Sequence, residues 1–265
     1  MNQTKMELRT VNVTRYVTPL REGGSMPAIV EADDGFLYVI KFRGAGQGTN
    51  ALIADLIGGE LARALGLQVP ELVFMNLAEG FGRSEGDEEI QDLLKFSVGL
   101  NLGVHYLSGA ITYDATVTTL DPLLASKILW LDCLLINIDR THRNTNMLMW
   151  KKELWMIDPG ASLYFHHNWS NWREHIKTPF ALVQNHVLLK QASKLEEADE
   201  FAKNILIKEV IEEIVSLIPD DFLNDESLFE TKDEYRNAYA TFLMERIKHS
   251  DIFIKEAQNA QQKLI

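Results

Sequence analysis

Apolar and polar positions alternate along the first third of the chain and take up helical spacing after it. Arg9 to Val17 reads as a strand rich in Val and Thr, broken by Gly23-Gly24-Ser25. Met26 to Glu31 is a second short strand, and Asp33-Asp34-Gly35 predicts a hairpin turn into a third, Phe36 to Phe42. In that strand Phe36, Tyr38, Ile40 and Phe42 share one face, and Leu37, Val39 and Lys41 share the other. Gly44 to Gly48 is a loop. Thr49-Asn50 reads as a helix cap, and Leu52, Ile53, Leu56, Ile57, Glu60, Ala64 and Leu65 recur at helical spacing, which predicts a helix over Ala51 to Leu65 stopped by Gly66. Val69 to Leu77 reads as a strand and Glu79 to Asp87 as a loop.

The second half changes character. Asp121-Pro122 is a strong helix start, with a capping carboxylate and Pro at the first position, and the helix runs apolar through Leu135. Met147 to Trp150 and Leu154 to Ile157 are short strands around a Lys151-Lys152 turn. Helices are expected over Phe180 to Lys194, Glu196 to Leu217, Lys232 to Lys248 and Asp251 to Gln261. The pattern predicts an α+β, bilobal chain: a strand-rich lobe over 1–95 and a mainly helical lobe over 96–265. The boundary is placed near Asp92 to Leu102, with a strand and hinge for an adenine pocket within Phe96 to Tyr106. There is no internal repeat and no low-complexity tract.

At 265 residues the chain is long enough to bury a sizeable core. A formal net charge of -12 argues against a general nucleic-acid binder, and local basic groups with a cation can still neutralise phosphates. The single cysteine, Cys133, excludes an intramolecular disulfide and a multi-thiolate metal site, and fits a reducing cytoplasm. It lies in the apolar helix and reads as core. Met1 to Thr10 is polar, unlike a secretory signal, and Ile128 to Ile138 is too short to cross a bilayer and is broken by Asp132, so no membrane insertion is expected.

The chemistry concentrates at Asn137-Ile138-Asp139-Arg140-Thr141-His142-Arg143-Asn144, followed by Asp158-Pro159-Gly160. Asp-x4-Asn, a hairpin and then Asp-x-Gly is what phosphoryl transfer needs. One carboxylate orients a hydroxyl, and an Asn and a second Asp hold Mg²⁺ on nucleotide phosphates. Lys41, at a strand end, can reach phosphate oxygens and needs an acidic partner. Glu60 interrupts the apolar stripe of the next helix and is the first choice, with Asp55 as the rival. Gly24 and Ser25 form a turn able to lie over phosphates. Taken singly, each residue has an ordinary role: Asp139 and Asn144 as loop caps, Lys41 as a solvated charge, Asp158 as a turn residue. Arg140, His142 and Arg143 read first as loop charges, with contact to phosphate or substrate as the alternative. His166-His167 lacks a third metal ligand. The Gly44 to Gly48 loop fits neither the Rossmann nor the Walker spacing.

Tyr38 to Phe42, Gly59 to Pro70, Asn137 to Asn146 and Ile157 to Gly160 together resemble the HipA-like kinases, which are related in fold to phosphatidylinositol 3/4-kinases and protein kinases. The resemblance implies a protein-kinase-like fold with ATP and Mg²⁺ as cofactors. It makes Lys41 the phosphate lysine, Asp139 the catalytic aspartate, and Asn144 and Asp158 the metal ligands. It also implies a hydroxyl-bearing acceptor, a protein serine or threonine by family analogy, and a cognate regulatory protein as a possible partner. Ser25 stands where full HipA proteins autophosphorylate a loop serine. Asp-Pro-Gly replaces Asp-Phe-Gly, and the chain looks short for a full HipA toxin. A non-catalytic nucleotide-binding module, a lipid or small-molecule kinase, and a nucleotidyltransferase on the same fold stay open.

Overall fold

The computed structural model describes residues 6–20, 26–82, 86–223 and 229–264. The first lobe is built from β1 (Thr10–Pro19), β2 (Ala28–Ala32), β3 (Leu37–Lys41), α1 (Gly48–Ala64), β4 (Leu72–Leu77), α2 (Glu88–Phe96) and β5 (Gly99–His105). Its strands close into a barrel in the order β1-β2-β3-β5-β4, sealed by parallel pairing of β1 with β4. Alternation sends Tyr38, Ile40 and Phe42 inward with Val11, Val30, Val73 and Met75. Phe36, on the same face but beyond the strand end, is exposed. The other face carries Lys41 out of the barrel.

The second lobe holds β6 (Ile111–Thr112), α3 (Pro122–Leu135), β7 (Met147–Trp150), β8 (Glu153–Met156), α4 (Trp172–His175), α5 (Leu195–Ile205), α6 (Lys208–Ser216), α7 (Lys232–Lys248) and α8 (Ser250–Gln262). Asp121 caps α3, accepting the Leu123 and Leu124 N–H groups at 2.9 and 3.0 Å. From Ile128 to Leu135 every residue of α3 is buried, Asp132 included, because the other elements pack all round this mostly apolar helix. Arg246 of α7 holds its far end. The guanidinium donates to the Cys133 and Leu134 carbonyls at 2.9 Å and to the His175, Ile176 and Thr178 carbonyls at 2.9 to 3.1 Å. That places a cation on the negative end of the helix, where the chain leaves for Asp139.

The helix α1 joins the two lobes. Every residue from Leu52 to Ala62 is buried, and the helix shares one core with α3 and α6 rather than with the barrel interior. Gly58 permits the fit, since a Cβ there would stand 2.7 Å from Pro159.

Several expectations shift. The strand β5 is hydrogen-bonded between β3 and β4, so residues through His105 belong to the barrel and the boundary expected at residue 95 falls inside the first lobe. The helix α2 falls where the sequence pattern predicts no element. Its cap, Asp87, sits at the end of a stretch read only as loop. Gln47 precedes α1 in place of the Thr49-Asn50 cap, and it makes no capping bond with its side chain. Phe180 to Lys194 is not an α-helix. Phe180 adopts φ 61°, a short 3-10 turn covers Ala181–Asn185, and irregular chain follows. Glu196 to Leu217 is two helices: Leu206 turns into the core and Ile207 is extended, which lets α6 start in a new direction.

Candidate active site

Lys41 leaves β3 on the Leu37/Val39 face and enters the cleft between the lobes. Its Nζ lies 2.6 Å from both carboxylate oxygens of Asp55 on α1, and it also bonds Asp158 Oδ1. Asp55 is buried, whereas the Asp158 side chain is 48% exposed. Burial alone would push the Lys41 ammonium down. The charges of Asp158 and Asp55 more than reverse this, so it stays protonated. Burial pushes the Asp55 carboxyl up against the pull of Lys41, with repulsion from Asp158 added, while Lys41 holds Asp158 low. Asp158 has φ 52°, a left-handed conformation that Asp tolerates better than most residues. Gly160 is needed beside it, because a Cβ would come 2.9 Å from Asp55 Oδ2.

The Asp139 loop hangs from the end of α3. Ile136 is left-handed, and the Asn137 N–H returns to the Asp132 carbonyl at 2.9 Å. Asp139 Oδ2 accepts from Asn144 Nδ2 at 2.7 Å and from Asn146 Nδ2 at 3.3 Å. The same Asn146 amide donates to the Asp158 carbonyl at 3.2 Å. Asn146 therefore ties the two acidic segments together, as the β7–β8 hairpin returns the chain to Asp158.

Beneath the loop sits Arg140, fully buried. Its Nε donates to Asp132 Oδ2 at 2.6 Å, and its Nη1 reaches the Asn146 carbonyl and, at 3.4 Å, those of Thr145 and Ile157. The Asp132 carboxyl is held low against its burial by Arg140 and then His186.

Among the described residues no cluster of three or more His, Cys, Asp or Glu side chains is placed to hold a metal. What the cleft offers is an oxygen set: the half-exposed Asp158 carboxylate and the Asn144 amide oxygen, the Asn144 nitrogen being taken by Asp139. That suits a hard divalent cation which keeps waters and phosphate oxygens in its shell.

The structure thus brings together Lys41, Asp55, Asp139, Asn144 and Asp158. It does not bring in Glu60, the first choice for Lys41. Five helical steps separate Glu60 from Asp55, about 140° around the axis. Glu60 bonds Arg63 at 3.2 Å, and Arg63 also caps the Val69 and Pro70 carbonyls. Gly24 and Ser25 lie outside the described residues. Two residues passed over in the sequence, Asn146 and Arg140, prove central to the geometry. The available signal was Asp132, a carboxylate inside an apolar helix, which requires a buried cation. His166 is buried with Nδ1 3.1 Å from the Tyr239 hydroxyl, while His167 is exposed. Cys133 is buried, as expected.

A family model described as HipA-like kinase matches residues 13–255. Among solved structures, the Helicobacter pylori proinflammatory kinase CtkA is similar with a TM-score of 0.57 at 14% identity, over 94% of this chain and 99% of that one, which shows a shared fold. The Golgi casein kinase with Mn/ADP bound gives a TM-score of 0.48 at 11% identity, over 96% of this chain and 74% of that one. The search of curated proteins gave no match.

Proposed function

The chain belongs to the HipA-like kinase family, and on that premise we propose that it transfers the γ-phosphate of ATP to a hydroxyl group, with a protein serine or threonine as acceptor. One observation carries the reading: Lys41 is held on Asp55 within reach of Asp158, while Asn146 ties Asp158 to Asp139. A strand lysine fixed by a helix carboxylate is how protein kinases hold the nucleotide phosphates.

In this reading Lys41 places its ammonium on phosphate oxygens and Asp55 keeps it there. Asp139 accepts a hydrogen bond from the attacking hydroxyl, orients its oxygen and takes its proton as the new bond forms. Asn144 and Asp158 hold Mg²⁺, which when bound supplies neutralising charge to the phosphates. The buried Arg140 keeps these groups from drifting, which matters because phosphoryl transfer is mainly positioning and electrostatics. Glu60 has no part in it. A reducing cytoplasm and a cognate regulatory protein belong to the same proposal.

The test is purified protein with Mg-ATP and a mixture of protein acceptors, read by intact mass. An acceptor gaining a phosphate in wild type, and not in Asp158→Asn, supports the reading. Addition of AMP, or equal phosphate incorporation by the variant, overturns it.

A further inference from the structure

His186 lies far along the chain from the Asp139 loop, in the segment expected to be a helix and found irregular. It is buried, and both ring nitrogens are engaged. Nδ1 accepts the Leu188 N–H at 3.1 Å, which puts the proton on Nε2, and Nε2 donates to Asp132 Oδ2 at 2.9 Å. The backbone follows: His186 forms a β-bridge with Thr141, and the Val187 N–H donates to the Arg140 carbonyl at 3.1 Å.

The Asp132 carboxylate thereby collects three donors, two from the Asp139 loop and one from the distant His186 segment. Asn137 Nδ2 bonds Oδ1 at 2.8 Å, and Arg140 Nε and His186 Nε2 share Oδ2. Arg140 is then free to turn Nη1 toward the carbonyls of Asn146 and Ile157, the residues flanking the hairpin that returns Asp158. A buried histidine satisfied by one bond would be an ordinary core residue. This one completes the shell of the carboxylate that orients the guanidinium, and it touches neither nucleotide side nor cleft.

We infer that His186 is a positioning residue for the transfer reaction proposed above: through Asp132 and Arg140 it fixes Asp139 and Asp158 relative to each other. The hydrogen bonds of Asp132, Arg140 and His186 do not run to Lys41 or Asp55, which meet the network only through Asp158, so the main effect falls on turnover rather than on nucleotide binding.

The experiment compares wild type, His186→Leu and His186→Gln in full-length protein, with kcat, KM for ATP and amide hydrogen exchange. His186→Leu is expected to lower kcat by about 10- to 100-fold, as loss of outer-shell partners does elsewhere, with KM for ATP within about twofold. Exchange should quicken over residues 139–146 and not over 38–42. His186→Gln, which keeps an N–H donor, should recover most of kcat. An unchanged kcat in His186→Leu, a parallel loss of ATP affinity, or no rescue by Gln overturns the inference. If His186→Leu does not fold, His186→Gln decides, and a loss as deep as that of Asp139→Asn overturns it. An inactive wild type defeats the kinase reading instead, and the positioning claim is then judged on the exchange pattern alone.

Discussion

Lys41 and Arg140 are both cations set between acidic and polar groups at the cleft, yet they are held in different ways. Lys41 faces two carboxylates, one buried and one half-exposed, and in the proposed reading its ammonium is what meets the nucleotide phosphates. Arg140 and Asp132 are sealed from solvent, and Arg140's other partners are backbone carbonyls. A ligand with its own charges can take over the Lys41–Asp158 bond. Nothing entering the cleft can replace the Asp132–Arg140 pair. One half of the site is arranged to exchange partners and the other to stay still.

The contrast breaks most visibly at Arg140. Arg140→Met leaves the Asp132 charge buried with weaker partners and is expected to cost about 3–5 kcal/mol of stability, measured by urea denaturation. Adding Asp132→Leu should recover much of that loss, because both charges then leave the interior together. A single variant as stable as wild type would contradict the sealed description.

On the other half, Asp55→Asn should leave the fold largely intact and lower phosphoryl transfer by about 100-fold, since the lysine loses the group that aims it. Steady-state transfer measured beside thermal melting separates these effects.

The two halves also differ in the sign of their pH response. Asp55 is raised by burial, so between its ordinary value of 3.8 and its folded value the native state binds more protons, and stability rises as pH falls. His186 is lowered from 6.5, by burial first, so below that pH the unfolded state binds more protons and stability falls. Urea midpoints at pH 7.5 and 5.5 should show Asp55→Asn removing a gain and His186→Gln removing a loss, each at most about 1.4 kcal/mol per pH unit. Shifts of the same sign would refute the assignment. The smallest effect is expected at Glu60→Gln, under about 1 kcal/mol because its partner Arg63 is partly exposed, with transfer unchanged.

The exchangeable half was the more legible in the sequence. Alternation placed Lys41 on the outward face of β3, and helical spacing found α1. That spacing favoured Glu60, which interrupts the apolar stripe, over Asp55, which lies away from its centre; both prove buried, and only the rotation of α1 against β3 decides between them. The hairpin that returns Asp158 was also readable. The fixed half was not, apart from Asp132. Arg140 looked like one of three loop charges, and nothing local distinguishes a buried arginine from its exposed neighbours Arg143 and His142. His186 sat in an apolar run whose spacing mimics a helix, and its contact with Asp132 spans 54 residues of chain.

Single-turnover transfer from ATP by Asp139→Asn, with nucleotide affinity measured on the same sample, bears most directly on the central claim. Asp139 belongs to neither cation's ion pairs, and it joins the two halves through Asn146. The expected result is a fall in transfer of at least about 100-fold, the lower range for a general base, with ATP affinity close to wild type. Transfer at the wild-type rate would contradict the account.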